Sequence, residues 1–228
     1  MVKTIMELKI IDNFFPEEQF NHLQEVILGQ FMPWRYTENI SVPEWFVVND
    51  PNAIETSALQ SDLFEIEHNG YMSKECIELS SIFESMVDRL GFEIKDLLRI
   101  RASMKWPQSH IKEHNYNIPH IDLQEPHTVA LFYVNDSDGP TRIFDQYQPK
   151  DRVYPRIKNI EELEYPGVKK KFNDFYITEG FTVKQLIEPK ANRMVVFDGY
   201  QYHTSGLPIS SSRRVILNIN FRGYGKNA

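Results

Sequence analysis

The sequence holds a single cysteine, Cys76, in 228 residues. One thiol excludes an internal disulfide and any zinc site built from several thiolates, and it fits a reducing compartment. Cys76 falls among apolar residues of a predicted helix and reads as core. Positive charge is also short: Lys+Arg 25 against Asp+Glu 32 leaves a net charge of −7. A net acidic chain is not a general binder of phosphate backbones, so bulk nucleic acid is not an expected partner. The one basic strip, Val168-Lys-Lys-Lys171, reads as a solvated loop or helix end. No apolar run approaches the ~20 residues that a membrane-crossing helix needs. Glu7 stands where a secretory leader keeps its apolar stretch. The expectations are therefore a cytoplasmic location and no membrane partner. Asn39-Ile-Ser41 and Asn135-Asp-Ser137 are glycosylation triplets in spelling only.

Apolar material is present in quantity, 41% hydrophobic and 13% aromatic, enough to build a packed core. The length suits one domain, taken as residues 1–228. Leu8 to Asp12 is a short strand candidate. A helix starts at Asn13 to Pro16, keeps Glu17 and Glu18 in its first turn, repeats apolar residues from Phe20 to Ile27 and ends at Gly29. Residues 31–60 show no clear period. Ser73 to Leu90 spaces Cys76, Ile77, Leu79, Ile82, Phe83, Met86, Val87 and Leu90 as one amphipathic helix, closed by Gly91.

After Gly91 the period changes from about 3.6 to 2. Strands are predicted at 98–106, 128–134, 141–144, 181–187, 194–197 and 215–221. Helices first and short strands afterwards point to helices packed on an antiparallel barrel or jelly roll. The reading is a helical support region over 1–95 and a β core over 96–224. Residues 145–180 are an insertion or lid carrying Tyr147, Tyr154, Tyr165, Phe172, Phe175 and Tyr176. There is no internal repeat, and no oligomeric state is read from the sequence.

Two incompatible metal patterns share the stretch from His110 to His127, which holds four of the seven histidines. His110-Ile-Lys-Glu113-His114 spells a zinc hydrolase site, but that chemistry needs both histidines on one helical face. Pro107 and Pro119 bracket the segment and no apolar stripe supports a helix, so it reads as loop. His120-Ile-Asp122 instead lies in extended chain after Pro119. On a strand, residues i and i+2 share a face, which sets imidazole and carboxylate side by side. A third ligand must come from elsewhere, and His203 is the candidate, after the buried-type strand at 194–197 and a Gly turn. Two histidines and one carboxylate leave open positions on an octahedral metal, as non-haem Fe(II) oxygenases require. His127, after Pro126, reads as surface or pocket rim. His22 and His68 read as a helix position and a polar loop.

These residues resemble the Fe(II)- and 2-oxoglutarate-dependent dioxygenases, specifically the prolyl 4-hydroxylase-like branch. Pro119-His-Ile-Asp122 is similar to the family's His-x-Asp strand. Leu131-Phe-Tyr133-Val-Asn135 is similar to its Tyr-Leu-Asn strand, and Gly139-Pro-Thr141-Arg-Ile-Phe144 to its Gly-Gly-x-Thr-x-Phe turn. Phe197-Asp-Gly199 through His203-Thr-Ser-Gly206-Leu-Pro208 resembles the distal-histidine segment. The resemblance runs from about Arg99 to Arg222 and implies a mainly β fold with flanking α, a double-stranded β-helix. It implies Fe(II) on His120, Asp122 and His203. It also implies 2-oxoglutarate anchored by Arg214, eleven positions after His203, with Tyr133 and Thr141 contributing hydroxyls.

Strand alternation puts Arg214, Ile216, Asn218 and Asn220 on one mixed face, opposite the apolar Val215, Leu217, Ile219 and Phe221. That favours Arg214 over Arg213 and Arg222, which stay open as alternatives. The sequence departs from the family at Ile216, where some branches keep a serine, and at Ile111, where some keep a tyrosine.

The implied activity is hydroxylation of a C–H bond of a peptidyl substrate, with prolyl among the candidates, or of a small molecule. Dioxygen is consumed and 2-oxoglutarate is decarboxylated to succinate; ascorbate is a candidate addition. Two competing readings are a non-catalytic cupin-type jelly-roll binding module and a zinc hydrolase. The usual cupin His-x-His spelling is absent.

Overall fold

In the computed structural model, residues 6–41, 48–66, 70–149 and 166–223 are described. Trp45, His68, Tyr154 and Tyr165 lie outside these residues, as does the side chain of Phe172. The chain opens with strand β1 (Lys9–Ile11) and helix α1 (Glu17–Leu28). Glu17 and Glu18 occupy the first turn of α1, and Leu23 and Ile27 are fully buried on its inner face. Asn192 ties this entry to the barrel. Its Oδ1 accepts from the Phe15 N–H at 2.8 Å and its Nδ2 donates to the Phe15 carbonyl at 2.8 Å.

The expected helical region over 1–95 also contributes strands: β2 (Arg35–Thr37), β3 (Ala58–Glu65) and β4 (Tyr71–Met72). The eight-residue β3 escapes sequence reading because a bulge between Asp62 and Phe64 breaks its alternation. The predicted Ser73–Leu90 helix is two helices, α2 (Lys74–Glu78) and α3 (Ser80–Arg89), with Leu79 between them. Ser73 caps α2, its Oγ accepting from the Cys76 N–H. Both helices keep their apolar faces in the main core, where Cys76 is 5% exposed.

The remaining strands are β5 (Leu97–Lys105), β6 (His127–Tyr133), β7 (Thr141–Tyr147), β8 (Val183–Ile187), β9 (Arg193–Asp198), β10 (Gln201–Ser205) and β11 (Arg214–Arg222). They form two sheets. The larger has the order β1-β9-β6-β11-β5-β3-β2, with β4 on β3; the smaller is β10-β7-β8. An isolated antiparallel bridge between His120 and His203 adds the 118–122 segment to the free edge of β10. Four strands of the larger sheet (β5, β11, β6, β9) and four segments of the smaller (118–122, β10, β7, β8) make a double-stranded β-helix. One face of the larger sheet carries the helices on Ala130, Phe132, Val215, Leu217 and Ile219. The other turns Val129, Leu131, Tyr133, Val195 and Phe197 into the barrel.

Within the 145–180 stretch, the first three residues extend β7, and Pro166–Phe175 forms helix α4. Lys170 and Lys171, on α4, are exposed. The far end of this stretch packs on the smaller sheet, where Tyr176 and Ile177, with Phe181 just beyond it, join Phe144 and Tyr202. Its described residues do not line the cavity at the histidines. Among the described residues, no helix is long and apolar enough to cross a membrane.

Candidate functional site

His120, Asp122 and His203 come together, with one ligand atom from each lying within 4.8 Å of the others. The local chain explains how. His120 and His203 exchange backbone N–H···O bonds of 3.1 Å each way, which sets their rings side by side, centroids 4.8 Å apart. Asp122, two residues on, projects to the same side. Its Oδ1 is 3.9 Å from His120 Nε2 and 3.8 Å from His203 Nε2. Both histidines point Nδ1 at the carbonyl two residues before them, Ile118 at 2.9 Å and Gln201 at 3.2 Å. A backbone acceptor there puts the proton on Nδ1 and leaves the Nε2 lone pair for a metal.

The protonation states suit a metal as well. Burial, with the charge of His203, lowers the His120 pKa to about 4. Burial lowers that of His203 too. Burial alone would raise the Asp122 pKa, but His203, Arg99 and His120 outweigh it and hold the carboxyl well below the usual range. Two neutral imidazoles and one carboxylate are the states in which these groups bind metal. Asp122 is oriented from behind: Oδ2 accepts from Asn218 Nδ2 at 3.0 Å and from Asn220 Nδ2 at 2.9 Å.

Further along the same cavity lie two buried cations. Arg214 is 2% exposed, donating from Nε to the Gly139 carbonyl (2.9 Å) and from its Nη2 to Thr141 Oγ1 (2.8 Å). Tyr133 donates its hydroxyl to the same Thr141 oxygen at 2.6 Å. Tyr133, Thr141 and Arg214 thus form one cluster. Opposite Arg214 on β5 is Lys105, also 2% exposed. Its Nζ donates to Asn117 Oδ1 at 2.7 Å and Ser205 Oγ at 2.5 Å, both neutral. Burial, together with the neighbouring Arg214 charge, pulls the Lys105 pKa well down. No described carboxylate forms an ion pair with either cation. Two buried charges of one sign are costly without an anion between them.

The cavity holding both groups measures about 260 Å³. Its floor is the polar face of β5 and β11, where Arg99, Arg101, Ser103 and Lys105 alternate inward beside Arg214 and Asn218. Arg213 and Arg222 do not line it; Arg222 is exposed, 3.9 Å from Glu125. The zinc-type spelling comes to nothing: His110, Glu113 and His114 are exposed in turns.

One reading is corrected. His127 is fully buried rather than at a surface or rim, because the Gly199 backbone packs directly on its ring. The residues that sequence reading missed are Arg99, Arg101 and Lys105. Their alternation is visible in Leu98-Arg-Ile-Arg-Ala-Ser-Met-Lys, but not which face meets the cavity.

No family model matches the chain, and no curated protein matches it by sequence. Solved structures do. A 2OG-Fe(II) oxygenase family oxidoreductase from Burkholderia pseudomallei aligns at TM-score 0.54 and 8% identity, over 96% of this chain and 87% of that one. A prolyl hydroxylase from Trichoplax adhaerens, in complex with a hypoxia inducible factor oxygen degradation domain peptide, gives 0.52 and 14%, over 94% and 83%. A Pseudomonas putida prolyl-4-hydroxylase gives 0.51 and 13%, over 94% and 92%. The chain has the double-stranded β-helix fold of the 2OG-Fe(II) oxygenases.

Proposed function

We propose that the chain is an Fe(II)- and 2-oxoglutarate-dependent dioxygenase that hydroxylates a C–H bond of a small-molecule or peptidyl substrate. The observation that carries this reading is a two-histidine, one-carboxylate donor set at one end of a cavity whose other end holds two buried cations with no ion-pair partner among the described residues. The donor set fits Fe(II), being of imidazole and carboxylate type with positions left over for other ligands. The cation pair fits the far carboxylate of 2-oxoglutarate, since a guanidinium fork reads a carboxylate in two hydrogen bonds.

Bound iron and 2-oxoglutarate supply the oxidative chemistry, in which dioxygen is reduced as the cosubstrate is decarboxylated to succinate and a hydroxyl enters the substrate. The chain's own residues do the rest. His120 and His203 present Nε2, and Ile118 and Gln201 hold their tautomers. Asn218 and Asn220 keep Asp122 from rotating. Thr141 fixes the angle of the Arg214 fork, and Tyr133 braces Thr141. The apolar residues Val129, Leu131 and Phe197 make the barrel interior water-poor, which strengthens each of these contacts.

Anaerobic titration with Fe(II) tests the reading. A visible charge-transfer band should appear only when 2-oxoglutarate is present, and aerobic turnover should release succinate. Iron binding with no band and no succinate would overturn the enzyme assignment. The prolyl hydroxylases among the structural neighbours support a peptidyl substrate, and the cavity volume of about 260 Å³ supports a small one.

A further inference from the structure

Arg99 is left over once the metal and cosubstrate ends are assigned. Its Nη2 lies 3.6 Å from Asp122 Oδ1, and its side chain is 13% exposed. Its Nε is buried with no hydrogen-bond partner. Arg101, two residues on and facing the same way, is paired with Asp62 at 2.5 Å. Glu65 stands opposite Arg99 on β3, yet the two form no ion pair. Arg99 is therefore a nearly buried guanidinium whose one described ion-pair partner is a metal-ligand candidate.

A cation at that place does nothing for metal affinity. Like charges repel, and at short range in a cavity the repulsion exceeds its value in water. Serving the metal would call for a neutral donor to Asp122, and Asn218 and Asn220 already fill that role. The cation makes physical sense when a second anion arrives beside the metal.

Register decides which anion. Arg99 pairs with Asn220 and Lys105 with Arg214, so the two cationic ends are six β11 residues apart, roughly 20 Å along the backbone. A cosubstrate whose far carboxylate sits on Arg214 cannot bring that group to Arg99. The charged lining residues are mostly cationic, Arg99, Arg101, Lys105 and Arg214 against Asp122, with Arg101 paired to Asp62, in a chain whose overall charge is −7. An excess of positive over negative side chains in the cavity of a net acidic chain favours entry of small anions.

We infer that Arg99 clamps a carboxylate of the primary substrate, and that the substrate is a free small organic or amino acid rather than an internal peptide residue. This rests on the oxygenase reading above. The size of the cavity, about 260 Å³ for cosubstrate and substrate together, points to the free acid.

The test uses the iron-loaded protein and three probe sets: the proteinogenic L-amino acids pooled with common hydroxy- and dicarboxylic acids, the matching carboxamides, and a peptide carrying both acidic and prolyl residues. Succinate release is read aerobically. The visible band of the iron–2-oxoglutarate complex is read without oxygen. The acid pool should stimulate succinate release and perturb the band, while carboxamides and peptide do neither. Arg99→Gln should form the band at the wild-type 2-oxoglutarate concentration and raise the half-saturating concentration of the active acid roughly 30-fold or more. Arg99→Lys should recover part of that loss.

An inert acid pool, stimulation by carboxamides or peptide, or full response in Arg99→Gln would overturn the inference. So would a loss of 2-oxoglutarate affinity in Arg99→Gln, which would put Arg99 on the cosubstrate. Absence of the band in wild type would instead sink the oxygenase reading itself.

Discussion

His120 and His203 are cross-strand partners: each donates its backbone N–H to the other's carbonyl at 3.1 Å, and their ring centroids are 4.8 Å apart. Backbone pairing brings these rings together. His203→Ala should therefore keep the fold. It should lose the rise in melting temperature that Fe(II), or Mn(II) as its redox-stable substitute, gives the wild type. Metal analysis after gel filtration should find less than stoichiometric metal in the variant. Unfolding of the variant without metal would show that the ring, rather than the backbone bridge, holds this edge.

The Arg214 and Lys105 pair makes a prediction about cosubstrate length. Arg214→Met should weaken 2-oxoglutarate binding by roughly 30-fold or more, since a buried charge partner is removed. Lys105→Met should weaken it by a smaller factor. Neither should change the affinity for 2-oxobutyrate, which lacks the far carboxylate. Tyr133→Phe removes one hydrogen bond to Thr141 and should cost about 1 kcal/mol of 2-oxoglutarate affinity. Calorimetric titration with both keto acids reads all three; equal losses for both keto acids would assign these residues to folding alone.

Burial gives the metal-free protein a pH dependence. The His120 pKa is lowered to about 4, from an ordinary value near 6.5. Between those values the unfolded chain binds a proton that the folded chain does not, so stability rises with pH across that window and falls on acidification. His203 is shifted in the same direction. Urea unfolding midpoints of the metal-free protein should fall from pH 7 to pH 5. His120→Gln should flatten that slope, and an unchanged slope would remove His120 as its source.

Gly199 and His127 make a packing prediction. A Cβ on Gly199 would come within 2.2–2.4 Å of the His127 ring, which is fully buried and cannot swing away. Gly199→Ala should lower the melting temperature by several degrees, consistent with a cost of about 1–3 kcal/mol for overpacking. A double variant, Gly199→Ala with His127→Ala, should recover part of the loss if the clash is its cause.

The barrel strands were legible in large part because each is short, alternating and bounded by turn residues. The His120–Asp122 pair could be read as two ligands on one face, since i and i+2 on extended chain always share a side. His203 is readable as a candidate from the strand and Gly turn before it, and Arg214 from the family resemblance together with strand alternation; the fold sets His203 beside His120 and Asp122 and puts Arg214 in the cavity lining. β3 was not legible, because its bulge removes the period of two on which strand recognition depends. Neither was the burial of His127, which depends on a turn seventy residues away closing over it.

By itself, then, the sequence determined most of the barrel's extended segments after Gly91, which side chains share a face on them, and that the chain can supply two imidazoles, a carboxylate and an arginine. Local stereochemistry is enough for that. Only the tertiary structure decided which face of β5 meets the cavity, and so that Arg99 stands beside Asp122 and Lys105 opposite Arg214. Alternation defines two faces of a strand, but pairing with β3 and β11 chooses which one points inward, and that choice sums contacts from the whole sheet.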